Sequence, residues 1–263
     1  MNITFIGSGN VAWHLAHVLK KSGHKISQVI GRNQDAVSAL SEEVGAAAVY
    51  SYEQIDDSSD IIFICVKDDA IECVASELPF TKAIVAHTSG FRSKEILSRC
   101  AEHYGVFYPL QTLKKGVPVS FKNIPMLIEG SDKNIEQKLT GLASEISDSV
   151  HTVTELQRQY IHVAAVFANN FTNHLYFMAE YLLSSRHISF DILRPLIAQT
   201  FENIKEHNPS SLQTGPAARR DFCTIEEHLK LLSSEEDMKK IYYILTESIL
   251  KERLKDYLPA DFN

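Results

Sequence analysis

The chain has 263 residues, 44% of them hydrophobic, and a formal net charge of -7. That length suits two domains, and that apolar fraction supports a sizeable core. The acidic balance, without a basic stripe interleaved with aromatics, argues against nucleic acid, and no apolar run reaches the ~18 residues of a membrane span.

The chain opens on Ile3-Thr4-Phe5-Ile6, an apolar β-prone run, and passes into Gly7-Ser8-Gly9-Asn10-Val11-Ala12, which is G-x-G-x-x-A. Val11, Leu15, Val18 and Leu19 then follow at helical spacing. Strand, glycine turn and helix in that order predict a dinucleotide site. Gly7 permits the tight turn, Gly9 lets a pyrophosphate approach the backbone, and Ala12 lets helix and strand pack closely. The helix start, with Ser8, Asn10 and Val11, offers N–H groups to phosphate. The next strand, 25–31, ends in Gly31-Arg32-Asn33 and carries no Asp or Glu for a ribose 2′-hydroxyl. Arg32 suits a 2′-phosphate and Asn33 can donate a hydrogen bond, which favours NADP over NAD; the plainer alternative is a solvated Arg. Asp35 reads as a first-turn charge of the following helix.

Further along, 34–44 reads as a helix, 47–50 as a short strand and 60–66 as a continuous apolar strand of the kind a parallel sheet buries on both faces. A helix is expected from Ala70. Strands follow at 83–86, 105–108 and 125–128, then a helix at 132–146 and a last strand at 150–153. This alternation predicts an α/β fold with a doubly wound, mostly parallel sheet. Strand ends carry Val66-Lys67-Asp68, His87-Thr88-Ser89-Gly90 and Tyr108-Pro109-Leu110-Gln111-Thr112. All three fall on the carboxyl edge, where open α/β sheets bind ligands. Val66, Lys67, His87 and Thr88 are expected to face the cofactor, and Ser89 and Gln111 the substrate; turn chemistry is the plainer alternative.

The pattern then changes. From Glu155 to about Ser184 there is no glycine or proline, and Tyr160, Val163, Ala164, Phe167, Phe171, Leu175, Met178 and Leu182 share a face at helical period. A helix of ~45 Å is expected, its apolar stripe against the domain core. More helices are expected at 189–206, 224–232 and 235–256. The domains predicted are 1–153, dinucleotide-binding, and 154–263, all-α. Arg158, His162 and Asn169 fall opposite the apolar stripe, with Asn170 at its edge and Asn173 one turn on; solvent is expected for Asn173. His162 could serve as a general acid and Asn170 could bond a substrate carbonyl. In Thr214-Gly215-Pro216-Ala217-Ala218-Arg219-Arg220-Asp221, Arg219 could hold a substrate carboxylate or phosphate, with Asp221 orienting it. Asp221 or Thr224 is the N-cap candidate of the next helix, and Thr224 is also taken as a substrate contact. The cleft between the domains is where these groups are expected to meet. Cys65, Cys73, Cys100 and Cys223 show no C-x-x-C spacing and read as reduced thiols of a cytoplasmic protein, with no metal site. The first strand starts too close to Met1 for a signal peptide.

The glycine motif, His-Thr-Ser-Gly, Pro-Leu-Gln-Thr, the segment with His162 and Asn170, and Thr-Gly-Pro-x-x-Arg-x-Asp together resemble one bacterial family. Its members carry an N-terminal Rossmann-like domain and a C-terminal helical domain of unknown function, and are often described as NADP-dependent oxidoreductases. In architecture they are similar to pyrroline-5-carboxylate reductase, ketopantoate reductase and the 6-phosphogluconate dehydrogenase group. Two positions depart from the family's pattern. Tyr108 stands where the family often has His, removing a possible proton donor, and Arg220 stands where it often has Gly, placing a bulky cation beside the proposed anion site. The resemblance implies an NADP-dependent oxidoreductase acting on a small carbonyl, imine or hydroxyl compound, for which an anionic group is expected, and a homodimer formed through the helical domains. A non-catalytic NADP-binding or redox-sensing protein is the alternative that the same fold supports.

Overall fold

The computed structural model describes residues 1–255. Eight strands form one sheet in the order β3-β2-β1-β4-β5-β6-β7-β8. They are β1 (Asn2–Ile6), β2 (Lys25–Ile30), β3 (Ala47–Val49), β4 (Ile61–Ile64), β5 (Ile84–His87), β6 (Tyr104–Pro109), β7 (Met126–Gly130) and β8 (Val150–Thr152). Every neighbouring pair is parallel except β6 with β7. β4 and β5 are buried at every position, as their unbroken apolar runs require in a sheet covered on both sides. Alternate residues supply the two layers. Phe5 and Phe63 join α1 (Asn10–Lys21), α2 (Gln34–Val44) and α4 (Lys133–Ser144) on one face. Ile6, Ile62 and Ile64 join α3 (Ile71–Glu77) on the other. Strand order reverses between β1 and β4, which opens a crevice at their carboxyl ends.

α5 (Glu155–Ala165) begins at a capping box between Thr154 and Gln157. It runs through a π-helical turn, Val166–Phe171, into α6 (Thr172–Ser184), so the expected long helix forms with one wide turn inside it. The remaining helices are α7 (Arg194–Glu206), α8 (Pro209–Leu212), α9 (Pro216–Arg219), α10 (Phe222–Leu231) and α11 (Glu236–Lys255). Residue 256, the expected end of the last helix, lies outside the described residues. The chain divides into two compact units, Met1–Asn170 and Phe171 onward. The division falls later than the boundary expected after residue 153, and α5 belongs with the sheet. Among the described residues no helix is long and apolar enough to cross a membrane.

The faces of α5 are the reverse of the expected arrangement. Tyr160 is 69% exposed and Phe167 64%, whereas Arg158 is 0% exposed. The reason is that Arg158 has a full set of partners beneath the helix. Its Nε donates to Glu129 Oε1 of β7, its Nη1 to the Ser89 carbonyl at 3.0 Å, and its Nη2 to the Arg92 carbonyl at 2.8 Å. Glu129 is itself buried, with Lys94 Nζ 3.9 Å from its other oxygen. Removing one member of such a pair strands a buried charge, at a cost of about 3–5 kcal/mol. Arg158→Ala is therefore expected to lower unfolding stability by about that amount in urea titrations. A loss below about 1 kcal/mol, the range of an exposed pair, would show that the pair is not a structural clamp.

Candidate active site

Gly7, at φ +107°, closes the turn after β1; a Cβ there would lie 2.3 Å from the Cys65 carbonyl oxygen. Gly9 presents the opposite situation: a Cβ would meet nothing within 4 Å, so its backbone faces open space. Gly9 is also the N-cap of α1, with no side-chain cap and no acidic residue in the first turn. The first N–H groups of α1 stay available to an anion. Ser8 is half-buried in this turn, Val11 is half-buried in α1, and Val66 lies against Gly7. The Asn10 carboxamide oxygen accepts from Lys115 N at 3.0 Å, which ties the loop after β6 to the phosphate turn. Arg32 is exposed at the end of β2, and Lys67 is exposed at the end of β4. Asn33 caps α2 through its carboxamide oxygen (Ala36 N, 3.1 Å), leaving the amide nitrogen to donate. An open glycine face, an uncapped helix start and an exposed arginine at the end of β2 fit NADP.

His87, Thr88, Ser89 and Gly90 are all buried. Ser89 Oγ donates to Asp68 Oδ2 at 2.7 Å and accepts from the N–H groups of Phe91 and Arg92, so this hydroxyl organises its own loop. Thr88 bonds the thiol of Cys65, which burial pushes up to about 12. His87 Nδ1 accepts from Ser89 N at 3.2 Å. Burial, and then the charge of Arg158, hold its pKa down at about 3, against 6.5 ordinarily.

The first unit holds a cavity of about 180 Å³ lined by Tyr108, Leu110, Gln111, Thr112, His162, Ala165, Val166, Asn169 and Asn170. Tyr108 Oη and His162 Nδ1 lie 3.0 Å apart, with their rings edge to face. They close over Gly90, where a Cβ would come within 2.4 Å of His162 Nδ1 and 2.9 Å of the Tyr108 ring. A side chain at residue 90 would force the pair apart. The π turn lets Asn169 and Asn170, adjacent in sequence, border the cavity that His162 enters from α5. Asn169 Nδ2 donates to Thr112 Oγ1 at 2.6 Å. Burial first, then the nearby Asp68 carboxylate, raise the pKa of the Tyr108 phenol, so it stays protonated at neutral pH. Among the described residues no Lys, Arg, Asp or Glu lines the cavity.

Of the expected residues, His162, Asn170 and Gln111 meet here. Tyr108, Thr112 and Asn169, which the sequence placed on the same edge or stripe without an individual role, also line it. In the second unit Asp221 is the N-cap of α10: its carboxylate accepts from Thr224 N at 3.2 Å and from Thr224 Oγ1 at 2.8 Å. Those bonds, the hydroxyl's first, hold its carboxyl below the ordinary value. Arg219 ends α9 and is exposed, and Arg220 takes the left-handed conformation at φ +56°. Among the described residues no group of three His, Cys, Asp or Glu could hold a metal ion.

Residues 2–89 match the NADP oxidoreductase, coenzyme F420-dependent family, and residues 124–249 match a domain of unknown function, DUF2520. A solved protein of Bacteroides fragilis described as an NADP oxidoreductase is 34% identical over 95% of this chain and 98% of its own, with a TM-score of 0.87. The chain belongs to this family of NADP oxidoreductases. A protein of Thermotoga maritima is similar at 22% identity over 97% of this chain and 99% of its own, with a TM-score of 0.72. A reductive aminase of Aspergillus terreus, in complex with NADPH and ethyl levulinate, shares the fold at 15% identity over 98% and 99%, with a TM-score of 0.73. No curated protein matches the sequence.

The buried His87 makes stability depend on pH. Below pH 6.5 the unfolded chain takes up a proton at His87 that the folded chain refuses until about pH 3. The unfolded state binds more protons across that window, so stability falls as pH drops through it. Between pH 7 and pH 5 this group should cost about 2 kcal/mol, a loss that His87→Asn removes. Equal pH slopes for parent and variant in urea unfolding would contradict the assignment.

Proposed function

We propose that the protein is an NADPH-dependent reductase acting on a small carbonyl or imine compound, or on the corresponding hydroxyl compound in reverse. The observation that carries this reading is a hydrogen-bonding pocket with a phenol–imidazole pair. It forms within the same unit as a turn whose open glycine fits a pyrophosphate. Bound NADPH supplies the hydride. The turn from Gly7 to Val11 holds the pyrophosphate, Arg32 pairs with the 2′-phosphate, and Asn33 donates beside it. Asn170 and Gln111 bond the substrate, and His162 is the source of the proton that neutralises the reduced centre. In the second unit Asp221 and Thr224 fix the segment that carries the exposed Arg219, a cation suited to an anionic group. The Aspergillus enzyme's complex with NADPH and a ketone supports the class of chemistry.

The active form in this reading is a homodimer. Among the described residues of the second unit only Ala217 and Ile225 are buried, while Phe177, Tyr181, Leu196, Phe201, Tyr243 and Leu245 are exposed. Helices without a core of their own need a surface to cover them, and a second copy is the commonest one. Sedimentation equilibrium is expected to give about twice 29.6 kDa. A monomer at micromolar concentration would contradict the dimer.

Calorimetry tests the nucleotide site. NADPH is expected to bind at least ~10-fold more tightly than NADH, a preference that Arg32→Asp abolishes. Gly9→Val should fold yet lose NADPH, because a branched side chain fills the open face. Equal affinities for the two cofactors, or a Gly9→Val variant that binds as the parent does, would refute the placement.

A further inference from the structure

We propose that Tyr108 is the catalytic residue that protonates the reduced centre, and that His162 supplies that proton through the phenol oxygen. The inference rests on the reductase reading and assigns a role in it to a residue outside the expected set.

The geometry singles out the hydroxyl. His162 Nδ1 is the atom turned to Tyr108 Oη, at 3.0 Å, and it lies over Gly90 on its other side. A proton on Nδ1 is enclosed by the loop and by the phenol. It leaves toward the cavity through the Tyr108 oxygen. Both residues line the cavity, and among the described residues its walls bring no competing acid: the rest of the polar lining is Gln111, Thr112, Asn169 and Asn170. Carboxamides and a threonine hydroxyl bond a substrate but do not ionise near neutrality.

The step balances as follows. Hydride adds to the carbon of the C=O or C=N bond, and the π pair moves to the heteroatom. The Tyr108 O–H bond breaks and its proton joins that heteroatom. The phenolate oxygen then takes the Nδ1 proton of the His162 imidazolium, leaving neutral imidazole, and a proton from water in the cavity returns to Nδ1 by the same route, through the phenol oxygen. When His162 is neutral, the phenol O–H instead donates to Nδ1 and points away from the substrate.

Two measurements on the full-length protein test this. ¹⁵N-histidine NMR reads Nδ1 of His162, identified by its loss in His162→Gln. The signal is expected to move in Tyr108→Phe; an unmoved signal overturns the pair whatever the substrate. NADPH oxidation is then followed with ethyl levulinate, with cyclohexanone, and with cyclohexanone plus allylamine. In Tyr108→Phe the rate on any acceptor the parent reduces should fall about 10²–10⁴-fold, the usual contribution of a general acid, with NADPH affinity unchanged. A Tyr108→Phe variant as active as the parent overturns the proposal alone. A parent that binds NADPH and reduces none of these acceptors overturns the reductase reading, and this proposal with it.

Discussion

The buried pair of Arg158 and Glu129 is the fixed point of the first unit. A guanidinium with no exposed surface needs all of its charge answered locally. It is answered by a carboxylate on β7 and by two carbonyls in the loop after β5. Three separate pieces of chain are thereby joined at one side chain. One helical turn further along α5, His162 is delivered over Gly90 and against Tyr108. The clamp determines where the imidazole sits, and it also contributes to keeping His87 neutral.

The site follows from small departures from regular structure. Gly90 is short enough for two rings to meet over it. The π turn widens the helix so that adjacent asparagines reach one cavity. The Asn10 bond to Lys115 joins the loop beside the cavity to the turn beneath the helix start. The result is a small polar pocket whose walls, among the described residues, hold no Lys, Arg, Asp or Glu. In such a setting a protonated phenol is a more durable proton donor than an exposed carboxylate, because burial and the Asp68 charge both oppose its ionisation.

The sheet was legible in the sequence because its signals are local. Each buried strand is a short apolar run, the glycine turn has a spacing dictated by the ligand, and the Gly45 left-handed cap ends α2 as a helix stop should. The cap of α10 was legible as one of two residues, Asp221 or Thr224, and it is Asp221. The long helix was legible as a helix but not in its facing. Periodicity reports that one stripe is apolar and the other polar; it does not report which stripe has a partner. Arg158 is buried because Glu129, 29 residues earlier, turns inward from β7. Tyr108 was set aside as a lost donor because its value depends on His162, 54 residues away, which no spacing rule connects to it. The π turn left no mark in the apolar period that a sequence alone would disclose.

The central claim is that the glycine turn and the Tyr108–His162 pocket serve one cofactor. A crystal structure of the protein with NADP⁺ tests it most directly. The account predicts the pyrophosphate on the open face of Gly9, the 2′-phosphate at Arg32, and the nicotinamide ring beside the Tyr108 hydroxyl. A nucleotide bound away from the Gly7–Ala12 turn, or with its nicotinamide ring remote from Tyr108, would contradict it.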